Sequence, residues 1–134
     1  MVMLRFFPFM VLAVLVYAVV IAVMGQPLGR EVLGFGLPSG VRFSLTVSEL
    51  LLFVATIVLF FEVMNAASAK TNSILNHGLS MLVFLACFIA FLLLPAFGTG
   101  TFLIITLMCL VDVIAGYSIS ILTARRDMTF GAQE

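Results

Sequence analysis

The sequence predicts an all-α fold: a polytopic transmembrane four-helix bundle in one domain, residues 1–134. Three observations predict it. The chain is 64% hydrophobic and 9% charged, where a soluble domain is nearer half apolar and a quarter charged. Its mean hydropathy is +1.35. Four apolar runs approach the roughly twenty residues needed to cross a hydrocarbon core. They lie at about residues 6–24, 45–64, 79–97 and 102–122, and 134 residues leave no room for a second domain.

The first run carries Pro8 in its opening turn, where a missing N–H is tolerated. Arg5 gives it the look of a signal peptide. The run is longer than a usual signal core and no A-x-A site follows, so it is read as a retained span. Residues 25–44 hold five glycines and two prolines. Within them, Leu37-Pro38-Ser39-Gly40 is a turn signal, and Val41-Arg42-Phe43-Ser44-Leu45 alternates apolar and polar residues. A short extracytoplasmic hairpin from about Glu31 to Ser44, capping the outer end of the bundle, is one reading; an irregular loop is the other.

Thr46-Val47-Ser48-Glu49 matches the capping box that opens a helix, with Glu49 reaching back to the N-cap amide. Residues 66–77 are polar and read as a cytoplasmic connection, partly helical at its start. Gly98-Thr99-Gly100 is a tight turn, which makes helices three and four an antiparallel hairpin. Arg125-Arg126-Asp127 is read as the end of helix four, where cations suit the helix C-terminus and anionic headgroups.

Orientation follows lysine and arginine near helix ends. With the N-terminus inside, Arg5, Lys70, Arg125 and Arg126 fall in the cytoplasm, and Arg30 and Arg42 fall outside. The chain is therefore read as N-in and C-in, with Arg5, Arg125 and Arg126 as interface anchors. Six basic and six acidic residues cancel, so no bulk charge points to nucleic acid. The expected partners are the lipid bilayer and a larger membrane complex or further copies of the chain.

Asp112 is the outstanding residue. It lies in the middle of the fourth run, near the predicted midplane, where a charged side chain costs about 2.5–3.5 kcal/mol on insertion scales. At 100° per residue, Thr101, Ile105, Cys109, Gly116, Ile119, Ser120 and Thr123 share its face, and Thr106 and Tyr117 lie off it. Such stripes of small and weakly polar residues are where membrane helices pack, so Asp112 faces protein. Cys87 and Cys109 sit equally far from Gly98 and are placed at similar depth. Counting from helix starts adds Tyr17 and Thr56, giving a proposed polar layer of Tyr17, Thr56, Cys87, Cys109 and Asp112. No cation reaches that depth, so the expectation is a neutral carboxylic acid donating a hydrogen bond to Tyr17 or Thr56. It is either a buried tie between helices or a proton site.

Glu62, near the cytoplasmic end of helix two, has two readings. It forms an ion pair with an interfacial arginine, or it joins His77 as a cytoplasmic proton mouth leading to Asp112. The two cysteines form no C-x-x-C pair and His77 is the one histidine, so no metal-ligand spacing exists and no cofactor is expected. No phosphate-cradling loop, nucleophile elbow or H-E-x-x-H occurs.

Leu37-Pro38-Ser39-Gly40 precedes helix two and Glu62 ends it; His77 and Ser80 open helix three. Asp112-Val113-Ile114-Ala115-Gly116 runs on into Ala124-Arg125-Arg126-Asp127. Over most of its length the chain thereby resembles small, uncharacterised four-helix inner-membrane proteins of proteobacteria. The resemblance implies a multi-pass protein of a bacterial inner membrane and carries no activity with it. Small multidrug-resistance transporters carry an essential acid in their first helix, and helix one here has none. Fluoride channels have glycine-rich and polar helix motifs that are missing here. The leading expectation is a non-enzymatic integral membrane protein, an accessory, assembly or self-associating subunit. The runner-up is a small proton-coupled transporter or channel using Asp112, and a membrane enzyme ranks third.

Overall fold

A computed structural model describes residues 7–68 and 73–131. Arg5 and Lys70, on which the orientation draws, lie outside the described residues. In chain order the elements are α1 (Met10–Met24), β1 (Glu31–Gly36), β2 (Arg42–Thr46), α2 (Val47–Ser68), α3 (Ser73–Leu93), a 3-10 turn at Pro95–Phe97 and α4 (Gly100–Gly131). The chain is thus mostly helical rather than all-α, with four helices and one small antiparallel sheet. Two stretches, Val47–Ala67 and Gly100–Arg126, are long and apolar enough to cross a membrane; Met10–Met24 and His77–Leu93 are shorter apolar helices.

The helix ends shift from the predicted ones for local reasons. Proline disfavours helical backbone at the residue before it, and α1 begins at Met10, after Pro8 rather than around it. It closes at Gly25, whose φ of 65° is left-handed and whose N–H bonds Ile21 O at 3.0 Å. Pro95 acts in the same way on Leu94, which is extended at φ −105° and ψ 116°, so α3 stops at Leu93. At its other end α3 starts at Ser73, ahead of the predicted run at 79–97, and takes in His77. Arg125-Arg126-Asp127 does not end α4; the helix continues to Gly131, there being no glycine or proline between Asp127 and that point.

The hairpin follows from its turn. Leu37 N–H bonds Val41 O at 2.8 Å, Gly40 N–H bonds Leu37 O at 2.9 Å, and Gly40 adopts φ +82°. This is a three-residue loop, Pro38-Ser39-Gly40, with proline first and a left-handed glycine last. The strands pair Leu33 with Leu45, Phe35 with Phe43 and Gly36 with Arg42. Helix α2 follows β2 without a linker, and its first amides, Val47 and Ser48, donate to Arg30 O and Leu28 O. The capping box forms as the sequence predicts: Thr46 N–H and Oγ1 bond Glu49 Oε2 at 2.7 and 2.9 Å.

Side-chain bonds fix the helix directions. Glu62, near the end of α2, meets Phe9 at the start of α1, so these helices are antiparallel. Ser48 Oγ and Thr101 Oγ1, 2.7 Å apart, set the starts of α2 and α4 side by side. Helix α4 packs on both α2 and α3, and α1 packs chiefly on α2. The core is lined by one stripe per helix: Met10, Ala13, Tyr17 and Ile21 of α1; Val47, Leu51 and Ala55 of α2; Cys87 of α3; Phe102, Ile105, Cys109 and Val113 of α4. Two packing partners give α4 a wider buried face than one stripe. Thr106, placed off the Asp112 face by angle, is therefore buried as well and bonds Phe102 O at 2.9 Å.

Candidate functional site

The polar side chains buried in this apolar chain concentrate between α3 and α4. On α3 they stand at His77 and Ser80, three residues apart, with Cys87 two turns on. On α4 they stand at Cys109 and Asp112, followed by Gly116 and the half-buried Ser120. All five of His77, Ser80, Cys87, Cys109 and Asp112 are buried.

The seam has three levels. Furthest from the α3–α4 turn, His77 Nε2 lies 2.7 Å from Ser120 Oγ, and that hydroxyl bonds Gly116 O at 3.0 Å. A hydroxyl has one proton. The Ser120 proton goes either to that carbonyl, with His77 Nε2 donating, or to Nε2, according to the imidazole tautomer. The ring of His77 rests against Gly116: a Cβ there would lie 2.3 Å from Nδ1 and 2.4 Å from Cε1. Tyr117 lies beside it, ring centroids 5.5 Å apart. At the middle level Asp112 lies beside Ser80 and within electrostatic reach of His77. At the third level the Cys87 and Cys109 thiols, both free, are neighbours across the helix pair.

The proposed five-residue layer therefore divides. The two cysteines meet, as their equal distance from Gly98 indicated. Tyr17 and Thr56 do not join Asp112. Tyr17 Oη lies 2.6 Å from Thr99 Oγ1 and 3.3 Å from Ala96 O, at the α3–α4 turn, with its ring 4.9 Å from that of Phe102 and 5.6 Å from that of Phe97. Helix lengths explain the error. Tyr17 is seven residues from the end of α1 at Met24, while Asp112 is twelve from the start of α4 at Gly100. At 1.5 Å per residue, Tyr17 is about 7 Å nearer their shared end. Thr56 is exposed and bonds Leu52 O of its own helix at 2.8 Å.

Glu62 is fully buried, and its Oε2 accepts the Phe9 N–H at the N-cap of α1. A carboxylate there answers both the unpaired amides and the positive end of the helix dipole. Beside the arginine or the path with His77 expected for Glu62, the structure shows a contact with a backbone amide of another helix; Arg5, one of those arginines, lies outside the described residues. Arg125 and Arg126 are exposed on the last turns of α4. Among the described residues no three potential ligands cluster to hold a metal ion.

Reading the residues one at a time missed Ser80 and Ser120 as partners. A signal for one existed: His77 and Ser120 are nearly equidistant from Gly98, as Cys87 and Cys109 are. No family model, curated protein or solved structure matches the chain.

Proposed function

We propose that this chain is a multi-pass protein of a bacterial inner membrane, N-in and C-in, with all four helices embedded. Its role on this reading is non-enzymatic: an accessory, assembly or self-associating subunit whose apolar flanks meet lipid and other membrane helices. The observation that carries the reading is the inverted placement of polarity. Val23, Leu93, Phe53 and Leu82 are 77, 73, 63 and 62% exposed, while Glu62, Asp112 and His77 are 0, 4 and 5% exposed. Water would penalise such a surface, since soluble monomers rarely show contiguous apolar patches beyond a few hundred Å². Hydrocarbon favours it, and buried polar groups then serve as interhelical ties.

The α3–α4 seam fits that role. Asp112 is buried beside Ser80 and His77 of the facing helix, which is where a tie would stand. Helix α1, at 15 residues, is about 22 Å long and shorter than the hydrocarbon core; the apolar Phe7-Pro8-Phe9 before it extends its reach. The test is fractionation of the expressed chain. Retention in carbonate-washed membranes is expected, with a periplasm-active reporter silent at the C-terminus and active when inserted at Ser39. Release by carbonate would overturn the reading. Affinity purification in mild detergent then identifies the partner, with the chain itself as the expected species if it self-associates.

One observation favours a second reading, a small proton-coupled transporter or channel. Asp112 and His77 are neighbouring titratable groups, and buried ionisable groups in membrane helices mark proton paths by default. Loss of a proton-driven flux from liposomes on Asp112→Asn, with folding intact, would establish it. No flux from the wild-type protein would remove it.

A further inference from the structure

The hairpin has two unlike faces. Residues directly opposite in a sheet point to the same side, so Leu33, Leu45, Phe35 and Phe43 share one face. The rings of Phe35 and Phe43 confirm it, with centroids 5.2 Å apart. The other face carries Gly34 opposite Ser44 and Gly36 opposite Arg42. Glu31 and Arg42 pair across that face at 2.8 Å, passing over Gly34, where a Cβ would meet Glu31 Oε1 at 2.1 Å. Both charges of the hairpin are thus held on one side, and the apolar side is left open: Leu33, Phe35 and Phe43 are 53, 49 and 39% exposed.

We propose that this apolar face lies on the lipid interface at the outer end of the bundle, a proposal that rests on the membrane reading above. Three features select lipid as the occupant. The hairpin is joined to α2 without a linker and bonded to it through Val47 and Ser48, so it is held where the helix ends. The outward stripe of α2 that starts there, Leu50, Phe53, Ile57, Phe60 and Met64, is exposed and apolar throughout. The face is also small. A large apolar side chain offers at most about 200 Å², so the three half-exposed ones offer on the order of 300 Å², less than half of one partner's share in a specific protein interface.

The chain has no tryptophan, so one substitution supplies a unique fluorophore. The full chain is reconstituted in phosphatidylcholine–phosphatidylglycerol vesicles as Phe43→Trp, Ser44→Trp or Phe60→Trp. Each is quenched by brominated phosphatidylcholine or by aqueous iodide. Expected is lipid quenching several-fold stronger for Phe43→Trp than for Ser44→Trp, with iodide showing the reverse order. Phe60→Trp, on the α2 stripe, reports the membrane reading independently. If it is lipid-quenched while Phe43→Trp is quenched by iodide, the hairpin stands in water and the proposal fails alone. If Phe43→Trp escapes both quenchers, a protein surface covers the face and the proposal again fails. If Phe60→Trp escapes lipid quenching, the membrane reading and the proposal fall together.

Discussion

His77 of α3 rests against Gly116 of α4 so closely that a methyl group on Gly116 would lie 2.3 Å from the imidazole Nδ1. The helices approach there because one of them lacks a side chain, and the approach sets His77 Nε2 2.7 Å from Ser120 Oγ.

Gly116→Ala must therefore displace a buried ring. The expected loss is about 1–3 kcal/mol, the usual range for overpacking, measured by thermal or denaturant unfolding in detergent. His77→Ala in the same chain vacates the space. The double variant should be more stable than the sum of the single losses implies; strict additivity would show that the ring is not the obstacle.

Gly34 makes the opposite prediction from a similar clash. A Cβ there meets Glu31 Oε1 and Arg42 Nη2, at 2.1 and 3.1 Å. Both are tips of flexible side chains in an exposed ion pair, and such pairs contribute about 0.2–1 kcal/mol. Gly34→Ala should change stability by less than about 1 kcal/mol, well below Gly116→Ala in the same assay.

Glu62→Ala leaves the Phe9 amide without its carboxylate acceptor, and stranding a buried donor costs about 1–3 kcal/mol. The effect should centre on the start of α1. Hydrogen exchange of the Phe9 amide and the α1 amides at residues 10–13 is expected to rise more than that of α4. Glu62→Gln retains an acceptor oxygen and should be milder. Uniform acceleration across all helices would refute this local role.

Tyr17→Phe removes the bonds to Thr99 and Ala96 but keeps the ring among Phe97 and Phe102. A loss near 1 kcal/mol is expected from the hydroxyl alone. Tyr17→Ala also opens a cavity in a fully buried site and should cost about 3–5 kcal/mol. Equal losses for the two variants would mean that the ring contributes nothing.

Legibility varied with the range of the interaction. Leu37-Pro38-Ser39-Gly40 and Thr46-Val47-Ser48-Glu49 work within four residues, and each forms the turn or cap that its residue types dictate. Cys87 and Cys109 were matched because a tight turn makes equal counts into equal depths. Tyr17 was misplaced by the same kind of count, since no turn ties α1 to α4 and the two helices differ in length.

The residues by themselves determined four helices, the turn at Leu37–Gly40, the cap of α2 and the inward face of Asp112, and left a hairpin between the first two helices as one of two readings. Each follows from local backbone preference or from helical and strand periodicity, which need no knowledge of neighbours. Only the tertiary structure decided that Asp112 meets Ser80 and His77, that Glu62 meets the first turn of α1, and that Gly116 is a seat for an imidazole. Periodicity fixes the side of a helix a residue occupies. Its partner depends on the length, axial offset and packing of helices far apart in the chain.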